Sequence, residues 1–212
     1  MITLEIWGDY ASFTRPEYKV ERYSYDFITP SAARNILQAI YWNPTFDWVI
    51  DKIYVMNPIK RMRITRNEMK DKGSYKEMQE AAISGKRAPH LNIRQTQRNA
   101  VVLKDVRYVI QAHFEGKENS AFDIEMAHNI FEKRTSIGQC FSTPYLGCRE
   151  FPAHYRVLSN DEEIKPINLT KEYGLMLYDI DYSGETKKPM FFNARMENGV
   201  IDVKNSEVYR QC

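Results

Sequence analysis

Cysteine is scarce in this sequence, and the three that occur have no metal-site spacing. Cys140, Cys148 and Cys212 form an odd set without a paired CxxC motif. Disulfide frameworks and structural zinc sites need cysteines in pairs at short, regular spacings. Asp179 and Asp181 lie on one predicted strand face but lack the further ligands of a metal cluster. We therefore expect free thiols and no metal.

Long apolar runs and phosphate-binding glycine loops are also missing. No stretch of about 18 apolar residues could span a membrane, and the N-terminus MITLEIWGDY has neither a basic leader nor an apolar signal core. The absence of GxGxxG and Walker motifs argues against an NTPase or a nicotinamide enzyme. With 43% hydrophobic residues, the chain can bury a sizeable core. We expect a cytoplasmic protein with no membrane partner and no cofactor.

The net charge is only +2, but the positive charge is concentrated in one segment. Such a segment can form a local positive surface that attracts phosphates. The alternative is a solvated polar loop without a partner. The basic residues of this segment are Lys60, Arg61, Arg63, Arg66, Lys70, Lys72, Lys76, Lys86, Arg87, Arg94, Arg98, Lys104 and Arg107.

The order of predicted elements indicates the fold class. Ile2, Leu4 and Ile6 alternate with more polar residues, which predicts a half-buried strand. A helix ending at Tyr41 follows, and later elements are predicted at 48–56 (strand), 106–114 (strand), 120–134 (helix) and about 145–151 (strand). This order is the ferredoxin-like, RRM-like βαββαβ pattern of many RNA-recognition domains. Residues from about 57 to 100, which carry most of this basic segment, are predicted to be an insertion in this domain.

After about residue 152 the pattern changes to strands without helices. Residues 175–180 and 189–196 have strand composition, and Asn198-Gly199 is a hairpin signal that leads into 200–203. We predict an α+β protein of two domains: a ferredoxin-like RNA-binding domain at 1–152 and a small C-terminal antiparallel β-sheet domain at 153–212.

The first helix places an aromatic pair at its end. The segment reads PSAARNILQAIYWNP from Pro30 to Pro44. Ser31 is the predicted N-cap, the apolar residues recur at helical spacing, and Pro44 cannot continue the helix. Tyr41 and Trp42 are therefore expected where the helix ends and a loop begins.

This helix and its neighbouring segments resemble the Dvulg subtype of the CRISPR-associated family five proteins. The other matching segments are WGDYASFTRPEYKVERYSYDFITPSAAR, NPIKRMRITRNEMK and GQCFSTPYLGCREFPA, and the likeness runs from about Leu4 to Met196. The resemblance implies a type I-C protein that cuts precursor CRISPR RNA within each repeat without a metal. It also implies that the protein stays bound to the 5′ handle as a subunit of Cascade, beside the backbone and large subunits.

The resemblance also implies which residues act. Cleavage by 2′-OH attack needs proton transfers at two oxygens and stabilisation of charge on the phosphorus centre. The family has a tyrosine at the end of the first helix and a Lys-His pair near the start of the second. Tyr41 matches through IYWNP, and His128 matches within EMAHNIF, so both are candidate catalytic residues. A phenol is protonated at neutral pH, which favours Tyr41 as a proton donor or orienting group.

The sequence departs from the family at the lysine, because Ala127 precedes His128. An ungapped count from Ile130-Phe131 moves the pair to Met126 and Ala127, and only a one-residue deletion after the histidine restores the match. Lys117, Lys133, Arg134 or an arginine of the basic segment could supply the charge. Alternatively, His128 is a surface histidine without a role and Tyr41 is a packed or base-stacking ring.

The candidate RNA-binding residues lie on two segments. Arg61 and Arg63 alternate on a predicted strand, a spacing that suits contact with an RNA backbone. Near the N-terminus, basic residues interleave with tyrosines that could stack on bases or pack in the core. The full set is Lys60, Arg61, Arg63, Arg66, Lys70, Arg15, Lys19 and Arg22.

Three hypotheses follow from the sequence. The first is a CRISPR RNA endoribonuclease that also caps the 5′ end of its complex. The second is a catalytically inactive subunit that binds the handle and supports assembly. The third is a nonspecific duplex-DNA-binding protein, which would show steep salt dependence and no preference for the repeat.

Overall fold

A computed structural model describes residues 1–18, 22–69, 74–85, 95–118, 120–159, 161–182, 184 and 186–210. None of the described helices is both long and apolar enough to cross a membrane. The helices are α1 (Pro30–Ile40), α2 (Tyr75–Ser84) and α3 (Ile124–Ser136). The strands are β1 (Ile2–Ala11), β2 (Arg22–Tyr23), β3 (Phe46–Val55), β4 (Lys60–Met69), β5 (Gln95–Gly116), β6 (His154–Val157), β7 (Lys171–Asp181), β8 (Lys188–Met196), β9 (Val200–Asp202) and β10 (Val208–Arg210).

The large sheet confirms the ferredoxin-like prediction. Its strand order is β6-β1-β5-β3-β9, and β5 is antiparallel to both of its neighbours, β1 and β3. β1 and β3 therefore run parallel with one strand between them, which is the split βαβ arrangement. Helix α1 packs on β3 and α3, and α3 packs on β6.

Alternation along the central strands places one set of side chains in the core. Leu4 pairs with Ile110 and Ile6 pairs with Tyr108, and all four are buried. Successive strand residues point to opposite faces, so the period-2 pattern of the sequence marks the buried face correctly. Helices α1 and α3 pack on this sheet.

The start of α1 differs from the prediction by two residues. The N-cap is Thr29, whose Oγ1 accepts a hydrogen bond from the Ala32 amide at 3.2 Å, and the helix begins at Pro30. Proline is favoured at the first helical position because its missing N–H has no helical acceptor there. Ser31 lies inside the first turn and is not the N-cap. The helix end is as predicted, with Tyr41 as the C-cap residue.

The prediction of a strand at about 145–151 is wrong. The fourth strand of the ferredoxin-like domain is β6, and the earlier segment contributes only an isolated bridge between Tyr145 and Pro152. The segment turns sharply because Gly147 has a φ of +82° and the Leu146 amide donates to the Phe151 carbonyl at 2.8 Å. A proline at 152 also lacks the N–H that a regular ladder needs.

The second sheet has the order β10-β8-β7. It does not include β9, which was predicted to belong to it. Asn198 and Gly199 form the expected turn with φ of 48° and 78°. The turn leads from β8 into β9, which pairs with β3 of the large sheet. The Val55 amide donates to the Gly199 carbonyl at 2.8 Å, which fixes the turn against β3. The division into domains at residue 152 stays a prediction: β6 and β9 lie in the large sheet, and the buried core includes Met176 and Phe192.

The described part of the basic segment forms a two-stranded ribbon with a helix. β4 pairs with the first half of β5 from Lys60 opposite Lys104 to Met69 opposite Gln95, and α2 follows β4 in the chain. β5 is therefore 22 residues long, and its first half was not recognised as strand in the sequence. Asp105, with a φ of 56°, lies in β5 just beyond the ribbon and accepts a hydrogen bond from Lys60 Nζ at 2.7 Å.

Glu5 joins three segments of the large sheet and makes stability depend on pH. The residue is 3% exposed, and its carboxylate accepts hydrogen bonds from Arg107 and Arg156. Burial raises the pKa of Glu5, but the two guanidinium groups outweigh it, and the net pKa lies below the ordinary 4.5. The contribution of Glu5 to stability is therefore fully present above 4.5 and is lost as the pH falls through the folded-state pKa.

We expect Glu5→Gln to lower the free energy of unfolding by about 1–2 kcal/mol at pH 7, because both arginines are half-exposed and their attraction is screened. Urea unfolding at pH 7 and pH 4 measures this effect, and the wild-type advantage should shrink at the lower pH. Glu163→Gln is the control, since the exposed pair of Glu163 with Lys165 contributes little. Equal losses in the two variants would contradict this role for Glu5.

Candidate functional site

Tyr41 is fixed at the end of α1 by its backbone and its ring. Its amide donates to the Leu37 carbonyl at 2.9 Å, and its carbonyl accepts from Trp48 Nε1 at 2.9 Å. The ring packs on Phe46 and Phe114, with centroid distances of 5.4 and 6.4 Å. The residue is 5% exposed, and these contacts together hold its ring in place.

Arg134, in the last turn of α3, lies directly over the ring of Tyr41. Its guanidinium carbon is 4.8 Å from the ring centroid, and its Nη1 donates to the Ile40 carbonyl at 3.1 Å. A cation is favoured both over an aromatic face and at a helix C-terminus. The structure thus brings a permanent positive charge to the predicted catalytic tyrosine.

The other sources of positive charge on neighbouring elements are placed differently. Lys117 pairs with Asp47 at 3.2 Å, and Lys133 is exposed in a shallow pocket with Asp123 and Glu125. Among these candidates, Arg134 is the one in contact with Tyr41. Arg134 was one of several candidate cations in the sequence analysis. The sequence alone could not select it, because α1 and α3 are distant in the chain.

His128 contacts the same aromatic cluster from α3. Its ring is half-buried and packs edge-on against Phe114, with a centroid distance of 5.3 Å. Burial lowers the pKa of His128 below the ordinary 6.5, the positive chain N-terminus lowers it further, and Glu132 acts in the opposite direction. The imidazole is therefore mainly neutral at pH 7 and can accept a proton. Tyr41 and His128 thus both contact Phe114.

The position before His128 faces the core. Ala127 is 3% exposed, and Phe131, one helical turn later, is fully buried. A lysine at 127 would carry its charge towards this apolar interior, which is costly without a partner. The packing accounts for alanine at this position and leaves the charge to another residue.

Most of the predicted RNA-binding side chains form ion pairs within the protein. Arg63 is exposed and pairs with no acidic group in the described ranges. Arg61 and Arg63 lie on one face of β4, as the alternation predicted, and Arg66 lies on the other. The ion pairs are Arg15 with Glu17, Arg22 with Glu68, Lys60 with Asp105, Arg61 with Asp26 and Arg66 with Glu150.

Two of these arginines also lie over aromatic rings. Arg15 is 4.6 Å from the centroid of Tyr25, and Arg66 is 5.1 Å from that of Phe151. Lys19 and Lys70 lie outside the described residues. RNA contact by the whole set stays a prediction, and Arg63 has the guanidinium most available for a phosphate.

A groove beside Tyr41 was not foreseen from the sequence. The α1 groove, as we call it, has a volume of about 790 Å³ and is lined by one side of α1, residues 12–14, Trp42, the segment 141–147 and Leu177. Trp42 is 51% exposed, Phe141 76% and Tyr145 37%. The amides of Phe141 and Ser142 donate to the Ala39 carbonyl at 2.8 and 3.0 Å, which fixes one wall to α1.

The fold and this site define a ferredoxin-like α+β protein of the kind used in RNA recognition, with aromatic and basic groups gathered at one helix end. The family model described as CRISPR-associated protein (Cas_Cas5), of the Cas5d type, matches residues 1–204. The chain therefore belongs to the Cas5d family of CRISPR-associated proteins.

Two relatives extend over nearly the whole chain, and both are named CRISPR pre-crRNA endoribonuclease Cas5d. The one from Mannheimia succiniciproducens is 46% identical over 218 residues, covering 95% of this chain and 94% of the relative. The one from Thermus thermophilus is 33% identical over 230 residues, covering 99% and 95%.

Two solved structures share the fold. A crystal structure of a CRISPR-associated protein has a TM-score of 0.70 at 22% identity, covering 98% of this chain and 95% of that one. A chain of a CRISPR RNA-guided surveillance complex has a TM-score of 0.50 at 11% identity, covering 99% and 89%. At these identities the likeness supports the fold alone.

Proposed function

We propose that this protein is an endoribonuclease that cleaves precursor CRISPR RNA within its repeats and remains bound to the 5′ handle as a subunit of a type I-C Cascade. The observation that carries this proposal is the contact of Arg134 with Tyr41 at the end of α1. The names of the two relatives support the same activity. The partners are then repeat RNA and the other Cascade subunits, in the cytoplasm.

The proposed reaction needs only the RNA and the protein's own groups. The ribose 2′-oxygen attacks the adjacent phosphorus, the bond from phosphorus to the 5′-oxygen breaks, and the products are a 2′,3′-cyclic phosphate and a 5′-hydroxyl. His128, with its lowered pKa, is suited to accept the 2′-hydroxyl proton at neutral pH. Tyr41 is suited to donate a proton to the leaving 5′-oxygen or to orient the phosphate.

Arg134 takes the role of the family lysine in this proposal. A guanidinium carries five N–H donors, and Arg134 uses one of them on the Ile40 carbonyl. The remaining donors can stabilise the negative charge that grows on the phosphate oxygens.

We expect Arg134→Gln to slow cleavage by about 10²–10³-fold at saturating RNA, the usual cost of removing one group that stabilises transition-state charge. Single-turnover cleavage of repeat RNA measures this. Lys133→Gln is the matched control, since it removes the same charge from the adjacent residue of α3, which lies in the shallow pocket away from Tyr41. If the two variants cleaved at equal rates, Arg134 would have no special role.

The second candidate function is a handle-binding and assembly subunit without catalysis. It is favoured by one observation, the buried alanine at 127 in place of the family lysine. Both functions predict tight binding to repeat RNA. A gel assay that separates bound, free and cut RNA distinguishes them, because the inactive subunit would retain the RNA intact.

A further inference from the structure

The α1 groove differs from the basic surfaces of the protein in its chemistry. Within the described part of the chain, its lining is free of charged side chains. Aromatic rings are exposed there on Trp42 and Phe141, and the side-chain amides of Asn35 and Gln38 line the same space. This combination suits a ligand with flat aromatic faces and hydrogen-bonding edges. It does not suit a phosphate group.

Unpaired nucleobases have these properties. Bases stack on aromatic side chains, and amides or hydroxyls can pair with their donor and acceptor edges. The volume of about 790 Å³ is within the range of roughly 300–1,000 Å³ for small-ligand pockets. An apolar helix would satisfy the rings, but its backbone N–H and C=O groups are bonded within the helix and would leave the side-chain amides of Asn35 and Gln38 without partners.

The groove lies beside the proposed cleavage site. Trp42 lines it and directly follows Tyr41, and the wall at Phe141 is hydrogen-bonded to the last turn of α1. Cations lie beside both segments: Arg134 is over the ring of Tyr41, and Arg15 follows Thr14 of the lining. An RNA strand at Tyr41 can therefore place its bases in the groove and its phosphates beside these arginines.

We infer that the α1 groove binds unpaired bases of the RNA strand that passes Tyr41, with Trp42 and Phe141 as stacking platforms. The inference rests on the proposed function for the identity of the strand. Binding of bases in the groove can nevertheless be measured without cleavage.

The test compares two short RNAs and three variants by fluorescence anisotropy. The probes are a labelled oligouridine strand and the same strand with abasic ribose units in place of the bases. The variants are Phe141→Ala and Asn35→Ala, both at exposed groove positions, and Tyr182→Ala, an exposed aromatic outside the groove. Each is titrated at several salt concentrations.

We expect Phe141→Ala to weaken oligouridine binding by about 5- to 100-fold and to leave abasic RNA binding unchanged. The dependence of affinity on salt should stay the same, since the groove neutralises no phosphate. Asn35→Ala should show a smaller loss of the same kind, and Tyr182→Ala none. An Arg63→Ala variant should instead lower the salt slope.

Oligouridine binding that is equal in wild type and both groove variants would overturn the inference. Cleavage of repeat RNA by wild type is recorded in parallel. If the wild type cuts RNA but the groove variants bind oligouridine as it does, only the inference about the groove is wrong. If the wild type binds bases in the groove but cuts no RNA, only the proposed function is wrong.

Discussion

Replacing His128 with alanine should slow cleavage of repeat RNA by about 10²–10⁴-fold, the usual contribution of a positioned acid-base group. RNA affinity should change little, because His128 is half-buried against Phe114 and lies away from the exposed basic ribbon. The wild-type rate should fall as the pH drops through the lowered pKa of His128, below 6.5. At lower pH the imidazole is protonated and cannot accept the 2′-hydroxyl proton.

The control for this prediction is another histidine outside the cluster. His154 is exposed on β6 and stacks on Trp7 with a centroid distance of 5.7 Å. His154→Ala should retain the wild-type rate and pH profile in single-turnover assays. If His128→Ala kept the wild-type rate, the histidine would be structural and the base would have to be another group.

Replacing Gly147 with alanine should lower the free energy of unfolding by about 2–5 kcal/mol, the sum of a left-handed backbone penalty and an overpacking penalty. Gly147 has a φ of +82°, and a Cβ there would lie 2.0 Å from the Ser12 carbonyl oxygen. That oxygen belongs to backbone that cannot rotate away. The amide of Ser12 donates to the Leu146 carbonyl at 3.0 Å, so the two walls of the α1 groove would be forced apart.

Gly138→Ala separates the two causes. Gly138 has a φ of +69°, but a Cβ there has open space around it, with no described atom within 4 Å. Chemical denaturation of both variants should show a loss of about 1–2 kcal/mol for Gly138→Ala, from the backbone alone. Similar losses at the two glycines would mean that the backbone at Ser12 can move to make room for a Cβ at residue 147.

The sequence predicted the elements whose pattern is local. Alternation in β1 and the proline after α1 are read from neighbouring residues, so the sheet and the position of Tyr41 were correct. The N-cap was misplaced because Thr29 and Ser31 are both good capping residues and flank the proline that begins the helix. The sheet to which β9 belongs could not be predicted, because the pairing of β9 with β3 depends on contacts between distant segments.

The candidate site was predictable only in part for the same reason. Tyr41 and His128 were identified through the family resemblance, and both contact Phe114. The role proposed for Arg134 depends on the packing of α3 against α1, which no local pattern records. The ion pairs of Arg61 and Arg66 join segments far apart in the chain, so composition alone overstated how much free positive charge the ribbon presents.

The most direct test of the central claim is to incubate the purified protein with its cognate repeat RNA in excess EDTA and to map the product ends. We predict one cut within the repeat, a 2′,3′-cyclic phosphate on one product and a 5′-hydroxyl on the other, with EDTA having no effect. Tightly bound but intact RNA would contradict nuclease activity. Products with 5′-phosphate ends that disappear in EDTA would contradict the proposed acid-base mechanism.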